Sequence, residues 1–174
     1  MRFFLFVVFC LGVQLGHGQA VKGGEAPGKA GRGAIVKVGG EVLTPLTLSA
    51  ADLSAMPRAT ATAKDKQGVP HDFSGVALSE IFARAGVTTG KQLRGENLAK
   101  YLLVTCADNY QVVFSLAELD SSFTDRVVIL ADQMGGKPLP AGTGPFRLIV
   151  PGEKKPARNC FQVTSLTIRF AKEQ

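Results

Sequence analysis

Only a few side chains of this sequence could carry out chemistry on their own. The chain contains three cysteines, Cys10, Cys106 and Cys160, and two histidines, His17 and His71. A zinc centre usually needs four N, S or O ligands, so this small set of donors argues against a multi-histidine metal site. We interpret His71, which lies in the turn-like run Gly-Val-Pro-His-Asp, as an ordinary loop histidine and not as a catalytic base.

A basic loop offers a different chemistry. The apolar residues 146–150 lie between two prolines, which lack an N–H for a strand ladder and so mark where pairing starts and stops. Lys154, Lys155 and Arg158 follow this short strand. Cations on a solvent-facing loop suit an anionic ligand, because charge-assisted hydrogen bonds to anions are strong. On these residues alone, we favour the alternative, a solvated turn that only keeps the protein soluble.

The first 20 residues have the pattern of a secretory signal peptide. Arg2 precedes an apolar run that is too short to span a bilayer, and small residues follow at positions 16–20. No Arg-Arg pair precedes the run, which favours export as an unfolded chain to a periplasmic or secreted location. Removing these 20 of the 174 residues leaves 154 and lowers the net charge from +6 to +5. We expect no membrane span after removal, and this mild charge does not indicate nucleic-acid binding.

Signal removal also leaves Cys106 and Cys160 as the two cysteines of the mature chain. In an oxidising compartment such a pair forms either a disulfide or two buried, small apolar side chains. The sequence leaves both possibilities open. If the disulfide forms, its role is either structural or redox-active.

The remaining chain predicts one α+β domain. Residues 21–33 are rich in glycine and predict a flexible linker, and residues 34–174 predict a single domain. Short strands alternate with brief helices without a regular βαβ pattern, which favours a mixed, mostly antiparallel sheet. A hairpin is predicted at the glycine pair 39–40. Ser49 and Ser115 each predict a helical cap, and Ser74 predicts the cap of an amphipathic helix. The apolar face of that helix comprises Leu78, Ile81, Phe82 and Ala85.

Three polar residues on or beside predicted strands need partners or a function. Arg147 lies within an apolar strand, and because an unpaired buried charge is costly, we predict an ion pair with Asp132 or Glu118. Asp108 and Tyr110 follow the strand that ends at Cys106. They either line the mouth of a pocket or serve structure, with Asp108 bonding within a turn and Tyr110 covering the core.

Four short motifs follow one another between residues 75 and 152. They are Gly-Val-Ala-Leu at 75–78, Asp-Asn-Tyr at 108–110 followed by Ser-Leu-Ala-Glu at 115–118, Gly-Lys-Pro-Leu at 136–139, and Gly-Pro-Phe-Arg-Leu-Ile-Val-Pro-Gly at 144–152. Their order resembles the molybdopterin-binding domain of sulfite-oxidase-type oxidoreductases, with matching segments from about residue 75 to residue 168. The resemblance implies an α+β fold around a molybdenum–pterin cofactor whose metal is bound by a cysteine thiolate. It places that cysteine upstream of Leu78, and residues 58–73 contain none.

Three functional hypotheses follow. The one we favour is an exported, cofactor-free member of this family that binds a small anionic ligand or an exported protein partner. The second, implied by the resemblance, is a molybdopterin-dependent oxidoreductase with Cys106 near the metal, with Lys154, Lys155 or Arg158 binding the pterin phosphate, and with Asp108 and Tyr110 at the pocket. The third is a domain with a structural or redox-active Cys106–Cys160 pair.

Overall fold

The structure, a computed structural model, describes residues 33–171. Within this range the chain forms ten strands and two α-helices. The strands are β1 (Ile35–Gly40), β2 (Leu46–Ser49), β3 (Arg58–Lys64), β4 (Pro70–Ala77), β5 (Lys100–Cys106), β6 (Gln111–Ser115), β7 (Ile129–Met134), β8 (Lys137–Pro138), β9 (Arg147–Ile149) and β10 (Val163–Phe170). The helices are α1 (Ala50–Ser54) and α2 (Leu78–Ala85). The predicted signal peptide and nearly all of the predicted linker lie outside the described residues.

The strands form two five-stranded sheets within residues 33–171. The first has the order β2-β1-β10-β5-β6, and only its β1–β10 pair is parallel. The second has the order β3-β4-β7-β8, with β9 also pairing with β7, and all its pairs are antiparallel. This arrangement confirms the predicted α+β class with mostly antiparallel pairing.

The amphipathic helix packs as its spacing predicts, but it begins later than predicted. All four residues of the predicted apolar face of α2 are buried, and Gly86 ends the helix with a left-handed φ of 67°. Ser74 does not cap it: this residue lies within β4, where it pairs with Thr60 and Gln133 on the two neighbouring strands. Because Ser74 is paired on both sides within the sheet, its backbone cannot begin a helix, and α2 starts at Leu78 instead.

The two other serine caps are confirmed. At Ser49 the side chain accepts a hydrogen bond from the Asp52 N–H, and the Asp52 carboxylate accepts one from the Ser49 N–H at 2.8 Å. Ser115 and Glu118 make the same reciprocal pair and open a short 3-10 turn instead of an α-helix. Local hydrogen bonding at a helix start depends on adjacent residues, which explains why the sequence predicts it well.

The predicted hairpin exists, but its loop is longer than two residues. β1 continues through Gly40, which pairs with Ile168 of β10, and the chain reaches β2 only at Leu46. Gly40 has a φ of 86°, and a Cβ there would lie 2.0 Å from the Ile168 carbonyl oxygen. This glycine therefore allows close approach of a neighbouring strand and does not form a two-residue turn.

Gly75, the first residue of the Gly-Val-Ala-Leu motif, also allows two strands to approach closely. A Cβ at this position would lie 2.1 Å from the Leu130 carbonyl oxygen of β7. The neighbouring ladder has an irregularity between Ser74 and Gly75, where the register shifts. The motif glycine thus sets how β4 packs on β7.

Asp120, a buried carboxylate, organises the connection after β6. Its Oδ2 accepts the Gly90 N–H at 2.6 Å and its Oδ1 accepts the Ser122 N–H at 2.8 Å. Burial by itself raises the pKa of Asp120, but these hydrogen bonds outweigh burial and bring the pKa below its ordinary value.

In the part of the chain that the structure describes, no helix is long and apolar enough to cross a membrane.

Candidate functional site

A cavity of about 610 Å³ opens where the two sheets meet. The turn between β3 and β4 forms one side, the end of β5 and the residues after it form another, and β9 with the segment before β10 completes it. The side chains with chemical potential that line this cavity include those of His71, Cys106, Asp108, Tyr110, Arg147 and Cys160. A concave site of this size falls in the range of small-molecule pockets.

Arg147 of β9 brings a buried positive charge to this cavity. The residue is only 9% exposed, and its guanidinium carbon lies 4.8 Å from the ring centre of Phe73 and 4.4 Å from that of Phe161. Its Nε is fully buried and has no hydrogen-bond acceptor among residues 33–171. Burial lowers the pKa of Arg147 from its ordinary value, although a guanidinium stays protonated in proteins.

The predicted ion pair of Arg147 with Asp132 or Glu118 is wrong. Asp132 instead accepts from Arg58 at 2.9 Å, and Glu118 accepts from Arg158 at 3.1 Å. Both carboxylates are therefore already paired with other arginines. The folded chain leaves Arg147 facing the cavity and the two aromatic rings.

Two free thiols line the same cavity. Cys106 ends β5 and Cys160 precedes β10, and each residue is 3% exposed. The Cys160 thiol donates its S–H to the Arg158 carbonyl oxygen at 3.3 Å, and the two cysteines lie near enough to influence each other's pKa. Burial raises the pKa of both thiols, most strongly that of Cys160. The structure thus brings the two cysteines together as thiols, which leaves the disulfide prediction open.

Asp108 and Tyr110 both make structural hydrogen bonds and both line the cavity. The Asp108 carboxylate accepts the Tyr110 N–H at 2.9 Å, within a tight turn in which Asn109 has a φ of 65°. Tyr110 is about half exposed, and its hydroxyl donates to the Ala157 carbonyl oxygen at 3.0 Å. Both residues also line the cavity, so they connect the β5–β6 turn to the segment that closes it.

The three cations of the predicted basic loop do not act as one group. Lys154 and Lys155 line a second cavity of about 630 Å³, next to the first. Arg158 lines neither of these two cavities. Its Nε donates to Glu153 at 2.8 Å, and its guanidinium carbon lies 4.3 Å from the ring centre of Phe114. With its further bond to Glu118, this network fixes the loop against β6 and the turn after it.

His71 lies in strand β4 and not in a loop, which corrects the sequence interpretation. Its Nε2 is 3.0 Å from Asp65 Oδ2, and both residues line the cavity. The sequence analysis also missed Phe161 as a pocket residue and Phe73 as a buried ring that packs against Arg147. The isolated charge of Arg147 in an apolar strand was a visible signal, but only the fold shows that rings, not a carboxylate, surround it.

Comparison with known proteins identifies the family. A family model described as "Oxidoreductase molybdopterin binding domain" matches residues 34–155. The chain belongs to this family. The sulfite-oxidase-type resemblance of the sequence is thereby confirmed.

A solved structure supports the same fold. The chain is similar to the crystal structure of the sulfane dehydrogenase SoxCD from Paracoccus pantotrophus, with a TM-score of 0.62 and 24% sequence identity. The similarity covers 80% of this chain and 39% of the SoxCD chain, so this protein spans about two-fifths of the length of that chain. A comparison with curated proteins found no match.

Proposed function

We propose that this member of the oxidoreductase molybdopterin binding domain family is an exported binding domain that takes a small organic anion in the Arg147 cavity and works without a molybdenum centre. The observation that carries the proposal is the buried guanidinium of Arg147, whose Nε has no acceptor. A bound anion at the cavity-facing part of the guanidinium would supply the counter-charge that residues 33–171 do not place beside it. Arginine is suited to this role because its planar donors match carboxylate and phosphate oxygens.

The surroundings of Arg147 favour an anion with an apolar or aromatic body. The aromatic rings near the guanidinium shield it from water, which strengthens any charge interaction made there. Met134, Pro140 and Phe161 add apolar surface to the same cavity. The ligand class that fits is therefore a carboxylate, phosphate or similar anion attached to a largely apolar group.

The second cavity could extend the site for a longer ligand. It shares Asp65, Lys66, Pro156 and Asn159 with the first cavity, so the two are contiguous. Lys154 and Lys155 line its far side. We propose that these lysines attract the anion toward Arg147, while the fully paired Arg158 shapes the loop and does not contact ligand.

The sulfur donors do not fit a molybdenum centre bound by one thiolate. The β3–β4 hairpin, where the family resemblance places the ligand, contains no cysteine. The two sulfurs that reach the cavity belong to Cys106 and Cys160, and burial raises the pKa of both thiols, which disfavours the thiolate that a soft metal needs. Residues 33–171 contain no group of three or more His, Cys, Asp or Glu side chains placed to bind a metal. The proposed function therefore does not involve a molybdenum centre.

One observation favours a second function, a molybdopterin-dependent oxidoreductase. The family model matches residues 34–155, and Cys106 lies in the cavity of this domain. In that case the cofactor would supply the redox chemistry, and Arg147 would bind an anionic group in the same cavity. Molybdenum analysis of protein purified from its native source separates the two functions, since one molybdenum per chain would overturn the cofactor-free proposal.

Isothermal titration calorimetry tests the anion site directly. The probes are inorganic phosphate, benzoate and pterin-6-carboxylate, titrated into reduced protein. We expect saturable binding of at least one organic anion, with affinity lowered at least tenfold in Arg147→Met. The matched control is Arg169→Met, which removes an exposed cation of β10 and should bind as the original protein does. Equal affinity in the two variants would refute the assignment of Arg147.

A further inference from the structure

Cys106 and Cys160 form a second chemical feature at the Arg147 cavity, one that anion binding alone does not use. The two residues are 54 positions apart, and pairing of β5 with β10 brings them together, with Cys106 opposite Val163. Both are free and line the cavity, so a small reagent that enters it reaches both sulfurs. Strand pairing thus brings the two thiols to the same cavity, as a disulfide between them would require.

We propose that Cys106 and Cys160 are a reversible dithiol–disulfide couple at the base of the cavity, and that an anion bound at Arg147 slows its oxidation. The oxidant is a low-molecular-weight disulfide. The redox couple itself does not depend on the proposed anion-binding function. Its control by the anion does rest on that function.

The reaction takes place in two exchange steps. The Cys106 thiolate attacks one sulfur of the incoming disulfide, which breaks its S–S bond, forms a mixed disulfide and releases one small thiol. The Cys160 thiolate then attacks the Cys106 sulfur, forms the Cys106–Cys160 bond and releases the second small thiol. In total, two electrons pass from the cysteines to the oxidant, and the two cysteine protons end on the two released thiols.

The structure assigns the two cysteines different roles. The Cys160 S–H donates to the Arg158 carbonyl oxygen, which favours the protonated form of Cys160. Burial also raises the pKa of Cys160 more strongly than that of Cys106. Cys106 is therefore the residue that attacks first, and Cys160 acts second, as the resolving residue.

Arg147 links this chemistry to the anion. The Leu148 N–H donates to the Cys160 carbonyl oxygen at 2.9 Å, so Arg147 and Cys160 lie on adjacent segments and line the same cavity. A positive charge in that position favours the Cys160 thiolate in the second step. An anion bound to Arg147 neutralises that charge and also occupies the approach to the sulfurs. Resolution should then slow, and the mixed disulfide on Cys106 should persist.

Mass spectrometry of the intact mature protein, without the predicted signal peptide and therefore without Cys10, follows these species after incubation with oxidised glutathione. We expect the original protein to lose two hydrogens, Cys160→Ser to accumulate one glutathione on Cys106, and Cys106→Ser to react at least tenfold more slowly. Thermal melts confirm that each serine variant is folded, and Cys106→Ala and Cys160→Ala serve as second variants. Two unmodified thiols in folded, original protein after prolonged incubation would overturn the redox couple.

The control by the anion has its own readout. Arg147→Met should form the intramolecular disulfide at least threefold more slowly than Arg169→Met, with more mixed disulfide at intermediate times. Saturating the original protein with the organic anion that binds it should produce the same delay. If calorimetry detects no anion binding but the disulfide still forms, the proposed function fails while the redox couple stands. If the anion binds and the rates do not change, the coupling is wrong.

Discussion

Replacing Arg147 by methionine should stabilise the protein while abolishing anion binding. Methionine keeps an unbranched apolar side chain against Phe73 and Phe161 but removes the charge. A residue that serves only the fold would show the opposite effect, since most core substitutions destabilise by about 0.5–3 kcal/mol. The stability measurement therefore distinguishes a functional arginine from a structural one without any knowledge of the ligand.

The expected magnitude follows from two opposing contributions. Taking a charge out of water costs several kcal/mol even after relaxation, and no carboxylate among residues 33–171 forms an ion pair with Arg147 to offset that cost. The interactions with the two aromatic rings return about 2 kcal/mol each when desolvated. The remaining cost is about 1–3 kcal/mol, so Arg147→Met should raise the free energy of unfolding by that amount. For a domain of this size the melting temperature should rise by about 3–8 °C.

Urea unfolding followed by circular dichroism measures this change in reduced, ligand-free protein. Arg147→Lys provides the closest comparison, because it keeps the charge and loses the planar stacking, and it should be less stable than both Arg147→Met and the original protein. The exposed-site control Arg169→Met should change stability by less than about 0.5 kcal/mol. Destabilisation by more than about 1 kcal/mol in Arg147→Met would mean that the guanidinium has stabilising partners, and the argument for an anion site would fail.

Three further substitutions test the surrounding structure. Arg158→Met should destabilise by about 2 kcal/mol in urea unfolding, because it leaves the mostly buried Glu153 carboxylate without its main partner; no loss would mean that the loop network is solvated. Gly75→Ala should cost about 2–3 kcal/mol, since the new Cβ meets the Leu130 carbonyl oxygen; a melting temperature within 2 °C of the original (about 1 kcal/mol or less) would contradict that close approach. The pKa of Asp120 is lower in the folded than in the unfolded state, so its stabilisation is present above the ordinary Asp pKa and is lost as the pH falls through the folded value. Asp120→Asn should therefore cost about 1–2 kcal/mol at pH 7 and flatten the loss of stability below about pH 4, as measured by melts across pH; an unchanged acid profile would count against the carboxylate's role.

The sequence by itself determined the features that depend on neighbouring residues. The caps at Ser49 and Ser115 and the apolar face of α2 follow from hydrogen bonds and spacing within one or two turns. The ordered motifs between residues 75 and 168 were also enough to indicate the family and its α+β class. These signals survive in sequence because each needs only a few adjacent positions.

Only the tertiary structure decided what the charged and sulfur-containing residues contact. Arg147, Asp132, Glu118 and Arg158 were all visible as charges, but their pairing depends on which strands lie side by side. Asp132 lies across the sheet from Arg58, and the loop fold brings Arg158 to Glu118, which leaves Arg147 with aromatic rings. In the same way, β5–β10 pairing joins Cys106 to Cys160. Contacts between distant positions are set by global packing, and a single sequence does not encode that choice in any local pattern.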